Sequence, residues 1–235
     1  MCYTSLRPPG PVLCDYVAMT LRSLLTVLAA IAAPAIALCA PVPAAGADPC
    51  PDVELVFIRG TGEPPGAGRV GDALAEALRP LLSGRSLGVY GANYPASLNF
   101  LSTQNGANDA GGHIAYMADA CPGTRIVLGG FSQGASAVSM LAGVPPIGDR
   151  IGNIGSAPPL APGLAGNVAA VAVFGNPGGL FGTPLSTTGQ FAGRTIDLCS
   201  AGDPICSDGD SRSAHSSYEL APYPGQAANF IAGLV

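Results

Sequence analysis

The sequence predicts a three-layer α/β fold, a parallel sheet covered by helices on both faces. Three observations predict it. Short runs rich in β-branched residues are continuously apolar rather than alternating, the pattern of strands buried on both faces. Segments with apolar residues at helical spacing separate these runs, and that alternation is the α/β signature. The chain of 235 residues is 48% hydrophobic and 11% charged, enough for one sizeable core in one domain.

Taken in order, VELVFIRG (53–60) reads as the first strand and TGEPPGAG (61–68) as a loop. VGDALAEALRPLL (70–82) reads as a helix, with Val70, Leu74, Leu78 and Leu81 on one face. LGVYGANYP (87–95) is a second strand, 108–120 a helix ending near Cys121-Pro122, and RIVLGG (125–130) a third strand. QGASAVSMLAG (133–143) is a helix of small residues. VAAVAVFGNPGG (168–179) and RTIDLCS (194–200) hold two further strands, and PGQAANFIAGLV (224–235) a last helix.

The ten basic residues are all arginine; with 15 acidic residues the net charge is −5. An acidic chain without a basic run excludes nucleic acid as a partner, because such binding rests on phosphate neutralisation. The first 47 residues read as an N-terminal extension and secretory leader. A start at Met19 gives Arg22 as the positive charge, 24–40 as the apolar stretch and Ala45-Gly46-Ala47 as the cleavage site, leaving 48–235 as the mature domain. The alternative is retention as an anchor at the cell envelope, against which stand the short apolar stretch and its Pro34. Of seven cysteines, Cys2, Cys14 and Cys39 precede the cut; Cys50, Cys121, Cys199 and Cys206 follow it. An even set in an exported chain points to two disulfides in one of three pairings, among them a small ring between Cys199 and Cys206. No CxxC occurs, so no metal site is expected, nor any cofactor.

The chemistry centres on Gly130-Phe131-Ser132-Gln133-Gly134, a G-x-S-x-G pentapeptide between a strand and a helix. Its glycines let the backbone turn sharply and expose the serine oxygen, and the following helix places free N–H groups behind it. Ser132 is the candidate nucleophile and the Gln133 N–H a candidate oxyanion donor. A serine needs a base. Only His113 and His215 exist; His113 lies upstream in a helix, so His215, in a loop and last in order, takes that role. The acid must come between Ser132 and His215. Asp149 and Asp197 also lie in that interval, Asp197 inside an apolar strand. Asp203 follows a strand at the correct sheet end and lies within the Cys199–Cys206 interval; Asp208 and Asp210 stay open as alternatives. Thr61, after the first strand, is the second oxyanion candidate, offering an N–H and a hydroxyl. Two apolar loops, Gly178–Leu185 and Ser156–Gly166, are candidates for an acyl groove.

IRGTGE, CPGTRIVLGGFSQGA, VFGNP, DLCSAGDPIC and AHSSY, in this order over nearly all of 50–235, resemble the cutinase family of serine esterases, and most of all the secreted actinobacterial members. The resemblance implies an α/β-hydrolase fold around a five-stranded parallel sheet without a large lid. It implies hydrolysis of carboxylic esters by Ser132, Asp203 and His215, with Thr61 and Gln133 as oxyanion hole. It also implies the bridges Cys50–Cys121 and Cys199–Cys206. The chain departs from the family at Phe131, where tyrosine is usual, and at SDGDSRSA (207–214), polar and acidic where fungal members are apolar. The expected substrate is a short- to medium-chain acyl ester, small or lipid, met by a monomer with transient lipid-interface contact. The rivals are a phospholipase or acyltransferase using the same residues, and a non-catalytic envelope protein.

Overall fold

The computed structural model describes residues 50–148 and 154–235. The leader reading, with Met19 and the cut after Ala47, lies outside the described residues, as do Cys2, Cys14, Cys39 and Asp149. Among the described residues no helix is long and apolar enough to cross a membrane.

The elements are β1 (Val53–Ile58), α1 (Gly68–Leu78), β2 (Leu87–Gly91), α2 (Thr103–Ala120), β3 (Arg125–Phe131), α3 (Gln133–Leu141), α4 (Pro162–Ala165), β4 (Val168–Phe174), α5 (Pro177–Leu180), β5 (Thr195–Leu198), α6 (Arg212–His215) and α7 (Tyr223–Ala232). The five strands form one parallel sheet in the order β2-β1-β3-β4-β5. Successive residues of the inner strands feed two separate cores. Val56, Ile58, Ile126, Leu128, Val171 and Val173 pack beneath α2 and α3. Leu55, Phe57, Val127, Ala172 and Phe174 pack beneath α1 and α7. Each face of the sheet thus has its own helical layer, which is why β1, β3 and β4 carry no alternation.

Three expectations need correction. Both-face burial holds for the inner strands only: β2 and β5 are sheet edges, half-buried along most of their length. The helix expected at 108–120 begins at Thr103, because the residues it turns toward β1 are small. A Cβ on Gly106 would lie 3.1 Å from Ile58 Cγ2, and Ala107 and Ala110 are fully buried. Small residues bring the helix close while leaving hydrophobic periodicity faint. His215 lies not in a plain loop but on the one-turn helix α6, whose N-cap Ser211 Oγ accepts from the Ala214 N–H.

The strand order reverses between β1 and β3: from β1 the chain moves outward to β2, then returns to the other side of β1. Functional groups gather outside the carboxyl ends of strands at such a switch point. Thr61 follows β1 there and Ser132 follows β3. Both disulfides form as the resemblance implies, Cys50–Cys121 and Cys199–Cys206.

Candidate active site

Ser132 sits between β3 and α3 with φ 53° and ψ −112°, a left-handed conformation that a non-glycine residue adopts at a cost of about 1–3 kcal/mol. Its N–H donates to Phe174 O (2.9 Å), tying the turn to β4, and its carbonyl accepts from the Ser136 N–H (3.1 Å), starting α3. The flanking glycines serve close approach. A Cβ on Gly134 would stand 1.8 Å from Ile58 O, and one on Gly130 2.5 Å from Gly134 O. Backbone cannot yield as a flexible side chain does. Gly134→Ala is therefore expected to destabilise the domain by about 3 kcal/mol or more, seen in thermal unfolding as a fall in Tm of roughly 6–12 °C.

His215 Nε2 lies 2.8 Å from Ser132 Oγ and its Nδ1 2.8 Å from Asp203 Oδ2. The imidazole packs against the Phe131 ring, centroids 5.1 Å apart. Gly175, φ +55°, makes room for the pair: a Cβ there would lie 2.9 Å from His215 Cε1 and 3.1 Å from Asp203 Oδ2. Asp203 is fully buried. Burial pushes its carboxyl up, but hydrogen bonds from His215, the Tyr218 hydroxyl and the Ile205 N–H outweigh this and hold it below the usual carboxylate range. The segments carrying Asp203 and His215 are laced together: Ser207 N–H donates to Asp203 O (3.0 Å) and Ser211 N–H to Gly202 O (2.9 Å). The Cys199–Cys206 bridge closes this ring.

The other titratable candidates lie elsewhere. Asp208 and Asp210 are exposed. Asp197 accepts from Asn176 Nδ2 (3.0 Å) and the Leu185 N–H (2.9 Å), bracing the loop between β4 and β5; burial raises its pKa. His113 stacks on Tyr90 at 3.5 Å and meets Glu54 Oε2 at 3.1 Å, a packing arrangement between α2 and the sheet. Among the described residues no three His, Cys, Asp or Glu side chains converge as metal ligands.

Thr61 and Gln133 are brought together. The Thr61 hydroxyl donates to Gln133 Oε1 (2.8 Å), Gln133 Nε2 donates to Thr103 Oγ1 (3.0 Å), and Thr103 donates to Phe100 O (2.6 Å). The Thr61 hydroxyl proton is thus engaged within the protein. Gln133 is the first residue of α3, so its N–H has no partner within the helix. Two charged residues of the RGTGE run hold this loop. Glu63 is buried; its carboxylate accepts the Gly60 N–H (2.8 Å) and the Arg69 N–H (3.0 Å). Buried Arg59 donates to Glu63 O (3.0 Å) and Ala92 O (3.0 Å).

A cleft of about 460 Å³ opens over Ser132, Gln133 and Thr61, with Leu98, Phe100, Ile154, Leu180, Phe181 and Ile205 among its walls. Leu180 and Phe181 come from the first loop proposed for an acyl groove. The second loop is a correction: Ser156, Ala157 and Pro159 line a different cavity, of about 430 Å³, walled also by Met140 and Val144. Sequence reading did not find Leu98 and Phe100, nor Tyr218, Gly175, Glu63 and Arg59. The only signals for the last four were their places in the AHSSY, VFGNP and IRGTGE runs.

Residues 49–235 match the family model for cutinase. The chain is 48% identical over 187 residues to phospholipase Culp4 of Mycobacterium tuberculosis, covering 79% of this chain and 80% of that protein. It is 41% identical over 226 residues to carboxylesterase Culp1 of Mycobacterium bovis, covering 91% and 97%. Among solved structures it superposes on the Trichoderma reesei cutinase bound to a phosphonate inhibitor, with TM-score 0.64 and 34% identity, covering 80% of this chain and 78% of that one. A family match over nearly all the described chain, joined to a five-stranded parallel sheet of three-layer α/β-hydrolase type, makes this protein a member of the cutinase family and a carboxylic ester hydrolase.

Proposed function

We propose that this esterase works through Ser132 as nucleophile, His215 as base and Asp203 as acid, on neutral short- to medium-chain acyl esters, as a secreted monomer whose mature chain is 48–235. The observation that carries the reading is the pair of 2.8 Å contacts that joins Ser132 Oγ, the two His215 nitrogens and Asp203 Oδ2 in one line. In the first half-reaction His215 Nε2 takes the Ser132 proton as Oγ attacks the ester carbonyl. The N–H groups of Thr61 and Gln133 receive the negative oxygen of the tetrahedral intermediate. The imidazolium then hands its proton to the leaving alcohol. Water, deprotonated by the same nitrogen, releases the acid from the acyl-enzyme. Asp203 holds Nδ1–H and balances the imidazolium charge.

The cleft supports the substrate class. None of its wall residues is charged. Leu98, Phe100 and Leu180 are 80%, 44% and 38% exposed at its rim, a surface suited to brief contact with a lipid interface. Asp208 and Asp210 on the segment before His215 repel an anionic headgroup at short range. These features favour neutral esters over the phospholipids implied by the name of one relative. A site of this volume stands in the lower part of the usual range of about 300–1,000 Å³. Methylenes inside contribute up to about 0.8 kcal/mol each, and those reaching water contribute none.

The test is a p-nitrophenyl ester series from acetate to palmitate beside phosphatidylcholine vesicles, with a fluorophosphonate probe to titrate reactive serine. The expected result is kcat/KM that peaks at butyrate to octanoate, stoichiometric labelling, and little release from vesicles. A rate rising steadily to palmitate overturns the chain-length reading, and faster phospholipid cleavage makes the protein a phospholipase. Ester formation with added alcohol in place of acid would reassign it as an acyltransferase. Absence of labelling would leave a non-catalytic family member.

A further inference from the structure

Tyr218 is fully buried, and a phenol that deep needs partners for its oxygen. Its two short contacts are of opposite sense, and Cys206 Sγ lies 3.4 Å from the same oxygen. The hydroxyl accepts the Ser200 N–H at 2.7 Å and donates its own proton to Asp203 Oδ2 at 2.6 Å. The oxygen it reaches is the one that also accepts His215 Nδ1–H, while Asp203 Oδ1 takes the Ile205 N–H at 2.7 Å. The ring is fixed independently of the hydroxyl: it stands edge-on to the His215 imidazole, centroids 6.2 Å apart at 85°, and packs 5.6 Å from Phe131 and 6.0 Å from Phe174.

We propose that Tyr218 is a positioning residue for the Ser132–His215–Asp203 unit, its hydroxyl fixing the plane of the Asp203 carboxylate and sharing the charge on the oxygen that faces His215. The inference rests on the function proposed above.

A carboxylate turns about a broad two-fold torsion, so two donors do not define its plane as tightly as three. The third donor is presented by an aromatic ring with no freedom of its own, and a bond from a neutral donor to a carboxylate is among the stronger hydrogen bonds. Charge taken up by the phenol is charge not presented to the imidazolium. Removing the hydroxyl therefore has two separable effects: the carboxylate is less well aimed, and Oδ2 attracts a protonated His215 more strongly. The titratable groups in contact with His215 are Asp203 and Tyr218. Behind Tyr218 stands Tyr223, whose hydroxyl donates to Ser200 Oγ, and the next residue, Glu219, is paired with Arg69.

The experiment compares wild type, Tyr218→Phe, Tyr223→Phe, Asp203→Asn and the Tyr218→Phe/Asp203→Asn double variant, all with disulfides intact and rates normalised to phosphonate-titrated sites. Tyr223→Phe removes a neighbouring hydroxyl that does not touch Asp203, so it reports the structural cost alone. Tyr218→Phe is expected to lower kcat about tenfold, leave KM within twofold, and move the acidic limb of the kcat/KM profile to higher pH. Tyr223→Phe is expected to shift the urea midpoint without moving that limb. In the Asp203→Asn background Tyr218→Phe is expected to cost less than twofold. A wild-type profile for Tyr218→Phe, an equal loss in the Asp203→Asn background, or a variant that folds too poorly to bind phosphonate each overturns the inference and leaves Tyr218 a core residue. Ser132→Ala separates the two levels: more than a hundredth of wild-type turnover surviving in that variant brings down the proposed triad itself, whereas its loss beside an unchanged Tyr218→Phe brings down this inference alone.

Discussion

Ser132→Ala is expected to lower kcat on p-nitrophenyl butyrate by about 10⁵–10⁶, with the urea midpoint unchanged. Losing the nucleophile of a serine unit removes nearly everything that the unit contributes, since the remaining base and acid have nothing to activate but water. A residual rate of roughly 10³–10⁴ over the uncatalysed reaction is expected to persist if the proposed oxyanion donors, Thr61 and Gln133, act as assigned. Stability is expected to hold because alanine keeps the Cβ and so inherits the φ of 53° with the same strain. The Ser132 N–H bond to Phe174 O is also kept. A variant retaining more than a hundredth of wild-type turnover per mole of protein would show that another group attacks the ester.

Asp203→Asn is expected to cost about 10⁴ in kcat. The three donors around Asp203 leave an amide no good answer. With its oxygen facing His215 and Tyr218, its NH₂ meets the Ile205 N–H donor head-on; turned over, the NH₂ faces His215 Nδ1. In the second orientation the imidazole moves its proton to Nε2, the nitrogen that must be free to accept from Ser132. The same variant carries a stability signature. The Asp203 carboxyl lies below its ordinary range when folded. A depressed pKa gives stability that is present above the unfolded value of about 3.9 and lost as pH falls through the folded one. Wild-type stability is thus expected to drop in strong acid by an increment missing from Asp203→Asn, measured as urea midpoints between pH 5 and 2. Parallel curves for the two proteins would show that the carboxylate is not held by these donors.

The strands, their order along the chain and the serine turn were legible because burial on two faces leaves unbroken apolar runs such as VELVFI, which no surface segment tolerates. His215 was legible because the chain holds so few imidazoles. Asp203, Asp208 and Asp210 were harder to separate. All three follow β5 in polar sequence, and what distinguishes Asp203 is that the short Cys199–Cys206 ring turns it inward, 2.8 Å from His215, while the other two face water. Tyr218 was invisible for a different reason. An aromatic residue three positions after His215 reads as ordinary core, and the carboxylate that uses its hydroxyl lies fifteen residues earlier. Arg59 was read only as part of the first strand and Glu63 as part of the loop after it, since nothing in RGTGE says that both side chains fold back to bind the loop's own backbone. The cleft walls Leu98 and Phe100 come from a connection whose apolar residues follow no period, so only the folded chain places them beside Ser132. The start of α2 was missed because close packing there uses glycine and alanine, which leave no hydrophobic stripe to read.

The Cys50–Cys121 link joins cysteines 71 apart in sequence and closes a covalent circle that contains β1, β2, α1 and α2. A protease that nicks an exposed bend inside that circle, such as the one carrying Ser83 and Gly84, releases no fragment. Both pieces stay bolted together, with Thr61 on one and the floor of the cleft still assembled around it.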